Sequence, residues 1–206
     1  MEPNLEETCS TALERAQTEV LNLINNPQVR WENYKEKHGL TRQKIETDSG
    51  ALIIKSAGTI NKPGQIVFDT LWDDTKKVEW NSKLKETRLL HEFDSRIRIY
   101  YNSFKSPWPV KNRDFVFATR AISLGDDALI TKISINTALC PEQAGFIRGE
   151  IKGSGILIHP VDKNSCVLTF VVSIDPKGSI PRSLVNKAQE EQSLAVHDIR
   201  QYVSRL

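Results

Sequence analysis

A run of six short strand-like segments, followed by one long helical stretch, limits what this chain can fold into. The segments cover residues 84–93, 96–104, 114–124, 128–139, 146–159 and 166–174, each rich in β-branched or aromatic residues. The breaks at Asp94-Ser95, Gly125-Asp126-Asp127 and Asp162-Lys163-Asn164 are too short for a parallel crossover, so neighbours run antiparallel. From 179 to 206 the pattern turns helical, with Pro181 tolerated in the first turn. Such a meander and helix bury each other most simply when the helix lies across one sheet face, an α+β arrangement.

The first half adds a helix, three strands and a further helical stretch. Asn4 caps the helix with Glu7 as its capping box, and Asn26-Pro27 ends it. Leu5, Cys9, Leu13, Ala16, Val20 and Leu23 or Ile24 recur at helical spacing and give one buried stripe. Strands are expected at 29–37, 42–47 and 51–60, with Asp48-Ser49-Gly50 as a hairpin turn. A helical stretch runs from Lys62-Pro63-Gly64 to Trp80, interrupted near Asp73-Asp74. With 206 residues and no repeat or low-complexity linker, a single domain over 1–206 is expected. A unit of that size buries roughly 70% of its unfolded surface.

Composition excludes several functions. Twenty-eight Lys and Arg against 26 Asp and Glu leave a net charge of +2, too weak for a nucleic-acid face. No apolar run approaches the roughly 20 residues that span a bilayer. The polar, acidic start does not read as a secretory signal. Cys9, Cys140 and Cys166 are few, odd in number and far apart, which fits a reduced, cytoplasmic protein. Enzyme signatures are scarce. His38, His91, His159 and His197 are scattered without metal spacing, and His91-Glu92 lacks a second His four residues on. Lys152 stands where a nucleophile elbow built on Gly153-Ser154-Gly155 needs its first glycine. A non-catalytic chain without cofactor or metal is expected; Glu190 or Glu191 with a histidine is the one titratable pair an enzyme could use.

Three features bear on binding. In Lys105-Ser106-Pro107-Trp108-Pro109-Val110-Lys111-Asn112-Arg113, two prolines stiffen a loop and hold Trp108 between cations. That composition suits a membrane interface, where each cation adds about 1 kcal/mol near anionic lipid; packing of Trp108 on the core is the alternative. The terminal stripe of Leu184, Ala188, Ala195, Ile199, Tyr202 and Leu206 is interrupted at Glu191 and Gln192. Gln192 is either solvated or turned toward an internal ligand. Strand 96–104 carries Ile97, Ile99 and Tyr101 on one parity and Arg98, Tyr100 and Asn102 on the other; by default the arginines face water.

The run Asn112-Arg113-Asp114-Phe115-Val116 after Pro107-Trp108-Pro109 resembles the loop–strand signature of the StAR-related lipid-transfer (START) domain. So do Trp72 through Trp80-Asn81 and Asp175-Pro176-Lys177-Gly178-Ser179-Ile180-Pro181, in the same order along nearly the whole chain. The texture is nearest the phosphatidylcholine-transfer and related phospholipid and ceramide carriers. The resemblance implies a helix-grip fold: a curved antiparallel sheet around the terminal helix, with one lipid in an internal cavity. It implies a monomeric carrier that touches membranes transiently, gated by the 105–112 loop and the terminal helix, with Pro107, Trp108, Pro109, Val110 and Lys111 at the membrane. Lipid-binding positions would be Lys77, Trp80, Asn81, Arg98, Tyr100, Asn102, Phe115, Phe117, Thr119 and Gln192. The match has departures. Lys77 and Asn81 stand where choline-lipid carriers place an arginine and an aspartate, and Asn102 replaces a cage aromatic, weakening choline recognition. Thr119 aligns with a cavity arginine of sterol carriers. In this register Arg98, Tyr100 and Asn102 point inward, with Arg98 and Lys77 receiving a lipid phosphate. A glycerophospholipid is the expected cargo; a sterol or ceramide carrier, or a helix-grip enzyme or sensing module, are the alternatives.

Overall fold

The computed structural model describes residues 4–34, 36–47, 52–94, 96–106 and 110–206. Helix α1 (Leu5–Asn25) opens it, and Asn4 Oδ1 accepts from the Glu7 amide at 2.8 Å, the expected cap. Next come β1 (Glu32–Asn33), β2 (Thr41–Glu46), β3 (Leu52–Ile60), α2 (Gly64–Trp72), a 3₁₀ turn (Asp74–Lys76) and α3 (Lys77–Trp80). The second half runs β4 (Leu84–Glu92), β5 (Arg98–Phe104), β6 (Asn112–Leu124), β7 (Asp127–Ser134), β8 (Phe146–Arg148) and β9 (Glu150–Ile151). It ends with β10 (Ser154–Asp162), β11 (Ser165–Asp175), α4 (Arg182–Gln192) and α5 (Ala195–Val203).

Among the described residues the strands form one sheet in the order β1-β2-β3-β11-β10-β7-β6-β5-β4, antiparallel along this path. β8 lies parallel to β6, and β9 pairs with β11. Different helices cover the two faces. Cys9 and Leu13 of α1 pack on Ile97, Ile99, Tyr101, Val116 and Ala118, and Val20 packs on Leu129 and Val171. On the other face, Val67 and Leu71 of α2 and Val196, Ile199 and Val203 of α5 pack on Ile130, Ile156, Ile158 and Leu168. This is the helix-grip fold. A sheet covered on both faces takes apolar residues at both parities, so β6 is buried continuously from Arg113 to Thr119.

Several segments differ from the expected ones for local reasons. Strand 29–37 shrinks to two residues because His38 and Gly39, both at positive φ (57° and 64°), fold the chain back into β2. The helix over 62–80 breaks at Asp73, whose carboxylate accepts from the Thr75 amide at 3.1 Å and starts a new turn. Strand 128–139 stops at Ser134, whose Oγ accepts from the Ile151 amide at 2.9 Å. Strand 146–159 divides into β8, β9 and β10. A Cβ on Gly149 would lie 2.4 Å from Cε1 of Phe115, so only glycine lets the chain cross that ring.

The terminal helix starts at Arg182 and is interrupted at Ser193-Leu194. Ser193 Oγ donates back to the Glu190 carbonyl at 2.5 Å, a bond that competes with the helical ladder. Arg42 of β2, a buried arginine, donates from Nε to the same Oγ at 2.8 Å. The halves are held differently. Val196, Ile199 and Val203 of α5 sit in the core, whereas no described side chain of α4 is fully buried.

Candidate functional site

On the face covered by α2, Arg98, Tyr100 and Asn102 of β5 stand opposite Thr119, Phe117 and Phe115 of β6. Ile97, Ile99 and Tyr101 lie beneath α1, so the arginine parity faces inward. Two further side chains complete this wall: Asp74 from the 3₁₀ turn, and Lys132 of β7, level with Thr119. Asp74 is 3% exposed, and its Oδ1 pairs with Lys132 Nζ. Its Oδ2 accepts from Asn102 Nδ2 at 2.9 Å. Lys77 is partly buried as a residue, but its ammonium is surrounded by protein and lies 5.8 Å over the Phe104 ring. Lys132 lies likewise 5.4 Å over the Phe117 ring.

The cluster is electrostatically uneven. Burial pushes the Asp74 carboxyl up, but Lys132, then Lys77, and hydrogen bonds from Lys132 and Asn102 outweigh it and hold it at about 2. Burial drives the Lys77 ammonium down; Asp74 opposes this, Lys132 reinforces it, and the result is about 8. At neutral pH, two ammonium groups therefore face one carboxylate, leaving one positive charge in excess. Among the described residues, Asn102 Oδ1, Trp80 Nε1 and Oγ1 of Thr87, which stands opposite Asn102 on β4, are buried without a partner.

The remaining expected residues fall into distinct settings. Arg98 donates to Glu92 at 2.6 Å and to the Trp72 carbonyl at 3.2 Å, and stacks 4.4 Å over the Trp72 ring. Its charge is thus already met. The Thr119 hydroxyl donates to the Thr131 carbonyl at 2.9 Å. Phe115 meets Phe104 edge-on, and Tyr100 stacks with Phe117. Asn81 caps α3, its Oδ1 accepting from the Lys83 amide at 3.1 Å. Gln192 is partly buried at the end of α4, beside the helix break.

The loop over 105–112 is fastened at its base. Asn112 Oδ1 accepts from the Ser106 amide at 3.0 Å. Arg113, 5% exposed, donates to the carbonyls of Pro176 and Lys177 at 2.9 Å each and to that of Lys111. One guanidinium thus ties this loop to the approach to α4. Asp114 receives Arg148 through both carboxylate oxygens at 3.0 Å. Val110 is partly buried and Lys111 exposed; Pro107, Trp108 and Pro109 lie outside the described residues.

A cavity of about 260 Å³ opens between α2 and the β6–β7 hairpin, lined by Phe68, Trp72, Ala121 and Ile158 and, in near-equal measure, by polar groups such as Arg96 and Asp126. Ala121 lies two residues along β6 from Thr119 on the same face, so this groove lies toward the hairpin end of the wall that carries the charged cluster. A larger shallow depression on the outer side of α1 has only polar helix-surface side chains, Thr11, Glu14, Arg15, Thr18, Glu19 and Asn22, and lies far from this chemistry. Among the described residues no group of three or more His, Cys, Asp or Glu could hold a metal ion. No described helix is long and apolar enough to cross a membrane.

Residues 11–201 match the START domain, and the chain belongs to that family. It is 30% identical over 128 residues to human START domain-containing protein 10, covering 62% of this chain and 44% of that protein. It thus spans less than half of that relative's length. The crystal structure of human STARD10 superposes with a TM-score of 0.81 at 23% identity, covering 100% of this chain and 81% of that one. Human StAR-related lipid transfer protein 5 gives 0.89 at 16% identity, covering 98% and 99%. The fold is shared across both.

Proposed function

We propose that this chain, acting as a single lipid-binding domain, carries one lipid between membranes without catalysis, and that the lipid is a glycerophospholipid. The charged cluster of Lys77, Lys132 and Asp74 carries this reading. A surplus cation buried inside the sheet wall stabilises nothing in the empty protein, but it neutralises the single negative charge of a phosphodiester. The phosphate falls to Lys77 and Lys132, which share the one carboxylate of Asp74, rather than to Arg98, which has Glu92 as its own partner.

Each acyl methylene costs about 0.8 kcal/mol to hold in water, so two chains require an enclosed apolar path. The groove of about 260 Å³ is smaller than the roughly 300–1,000 Å³ of ordinary small-ligand pockets, so loading requires movement of the cover. In this reading the sheet curves around the lipid, α4 and the 105–112 loop form the cover, and Trp108 with Lys105 and Lys111 meets the membrane. The protein acts as a monomer, soluble in the cytoplasm between membrane visits.

The test is native mass spectrometry after incubation with vesicles of mixed phospholipid, sterol and ceramide. A one-to-one phospholipid adduct, lost in Lys77→Met, is expected. A sterol or ceramide adduct would transfer the site to another lipid class. No adduct would move the weight to a sensing or interaction module.

A further inference from the structure

The orientation of Asn102 bears on which headgroup the site accepts. At 1% exposure this side chain is shut inside the protein. An amide of this kind can usually be turned end for end, but here its neighbour decides. Asp74 is held ionised and so can only accept, which means the NH₂ must face Asp74 Oδ2, at 2.9 Å. Oδ1 therefore points the other way, and no described group donates to it. A buried acceptor fixed in place and left without a donor is costly to the empty protein. Its natural complement is an N–H or O–H on the ligand.

The rings of the site argue in the same direction. A quaternary ammonium is held by open aromatic faces. In this chain Lys132 occupies the face of Phe117 at 5.4 Å and Lys77 that of Phe104 at 5.8 Å. A choline group would have to displace a lysine or sit against two cations, and it has no proton to offer Oδ1.

We infer that this site, read as a phospholipid site, selects a phosphodiester whose headgroup carries a hydrogen-bond donor, and discriminates against choline through Asn102. Lys77 and Lys132 meet the phosphate, and Asn102 Oδ1 meets the donor beyond it.

The test is a methylation series on the wild-type chain. Vesicles hold equal amounts of phosphatidylethanolamine, its N-methyl and N,N-dimethyl forms, and phosphatidylcholine, all with the same acyl chains. Headgroup charge is constant, and only the last member lacks an N–H. Native mass spectrometry should show similar adducts for the first three and about tenfold less for the fourth, the order expected when one buried acceptor loses its donor. Asn102→Leu should flatten that step while keeping a phospholipid adduct. A gradual slope with each methyl, equal binding of all four, or preference for phosphatidylcholine would overturn the inference and leave the phospholipid reading intact. Absence of all four, with a sterol or ceramide adduct in the mixed-lipid experiment, would overturn both.

Discussion

Across the β5–β6 ladder, Ile99 and Ala118 face α1, while Tyr100 and Phe117, one residue along each strand, face α2. The first face meets Cys9 and Leu13 through apolar side chains, and its one buried carboxylate, Asp114, is matched by Arg148 through both oxygens. The second gathers a carboxylate, two ammonium groups and an amide with an unused oxygen. One backbone thus carries a face whose buried charge is paired one to one beside a face whose charges are unevenly matched. Such local mismatches concentrate where a protein does its work. Under the proposed function, the α1 side supplies stability and the α2 side recognition.

Substitutions should separate the two roles. The largest loss is expected for Asp74→Asn, which leaves Lys132 buried without its anion, at about 3–5 kcal/mol. Denaturant melts would measure it; a loss below about 1 kcal/mol would mean that the inner cluster is effectively solvated. Ile99→Ala, on the apolar side, should cost about 3 kcal/mol through cavity formation, with lipid selectivity unchanged. A change in the adduct spectrum of that variant would erase the division between the faces.

Lys77→Met should act in the opposite sense. It should stabilise the ligand-free protein by roughly 2–3 kcal/mol at neutral pH and abolish the phospholipid adduct. The sign follows from Lys77 titrating near 8 in the folded chain instead of its ordinary 10.5. Below pH 8 both states hold the proton and the folded state bears the full desolvation cost. Between 8 and 10.5 the unfolded state binds more protons, so stability from this group rises with pH. In Lys77→Met that rise should be missing from a pH series of melts. The smallest effect is expected for Arg98→Ala: less than about threefold on phospholipid binding, because the Arg98 charge is already met by Glu92. A larger loss would place Arg98 in the recognition face with Lys77.

The legibility of these features in the sequence follows the same division. The strands of the meander and the stripe of α1 were readable because period and turn chemistry are local. The inward parity of Arg98, Tyr100 and Asn102 was not readable from alternation, since cover on both faces removes the contrast; it came from family register. Asp74 read only as a break in a helix, yet its carboxylate organises the inner cluster. Lys132 gave no signal, because β7 places Leu129 and Ile130, then Ile133, on both parities. The polar gap at Glu191 and Gln192 was visible in the apolar stripe, but the sequence reads as one helix over 179–206 and does not show the break at Ser193-Leu194. At that break Ser193 is held by Arg42, from a strand 151 residues away in sequence, a tertiary contact.

That interruption gives the terminal helix two mechanical halves. Swinging α5 outward would extract Val196, Ile199 and Val203 from the core, at about 1.5–3 kcal/mol for each. Swinging α4 about Ser193 extracts no fully buried side chain among those described. The amide protons of α4 should therefore exchange with solvent through frequent small openings, and those of α5 only through rare large ones. On that prediction the break is a mechanical fuse: thermal motion is spent on the outer half of the helix while the inner half keeps the fold shut.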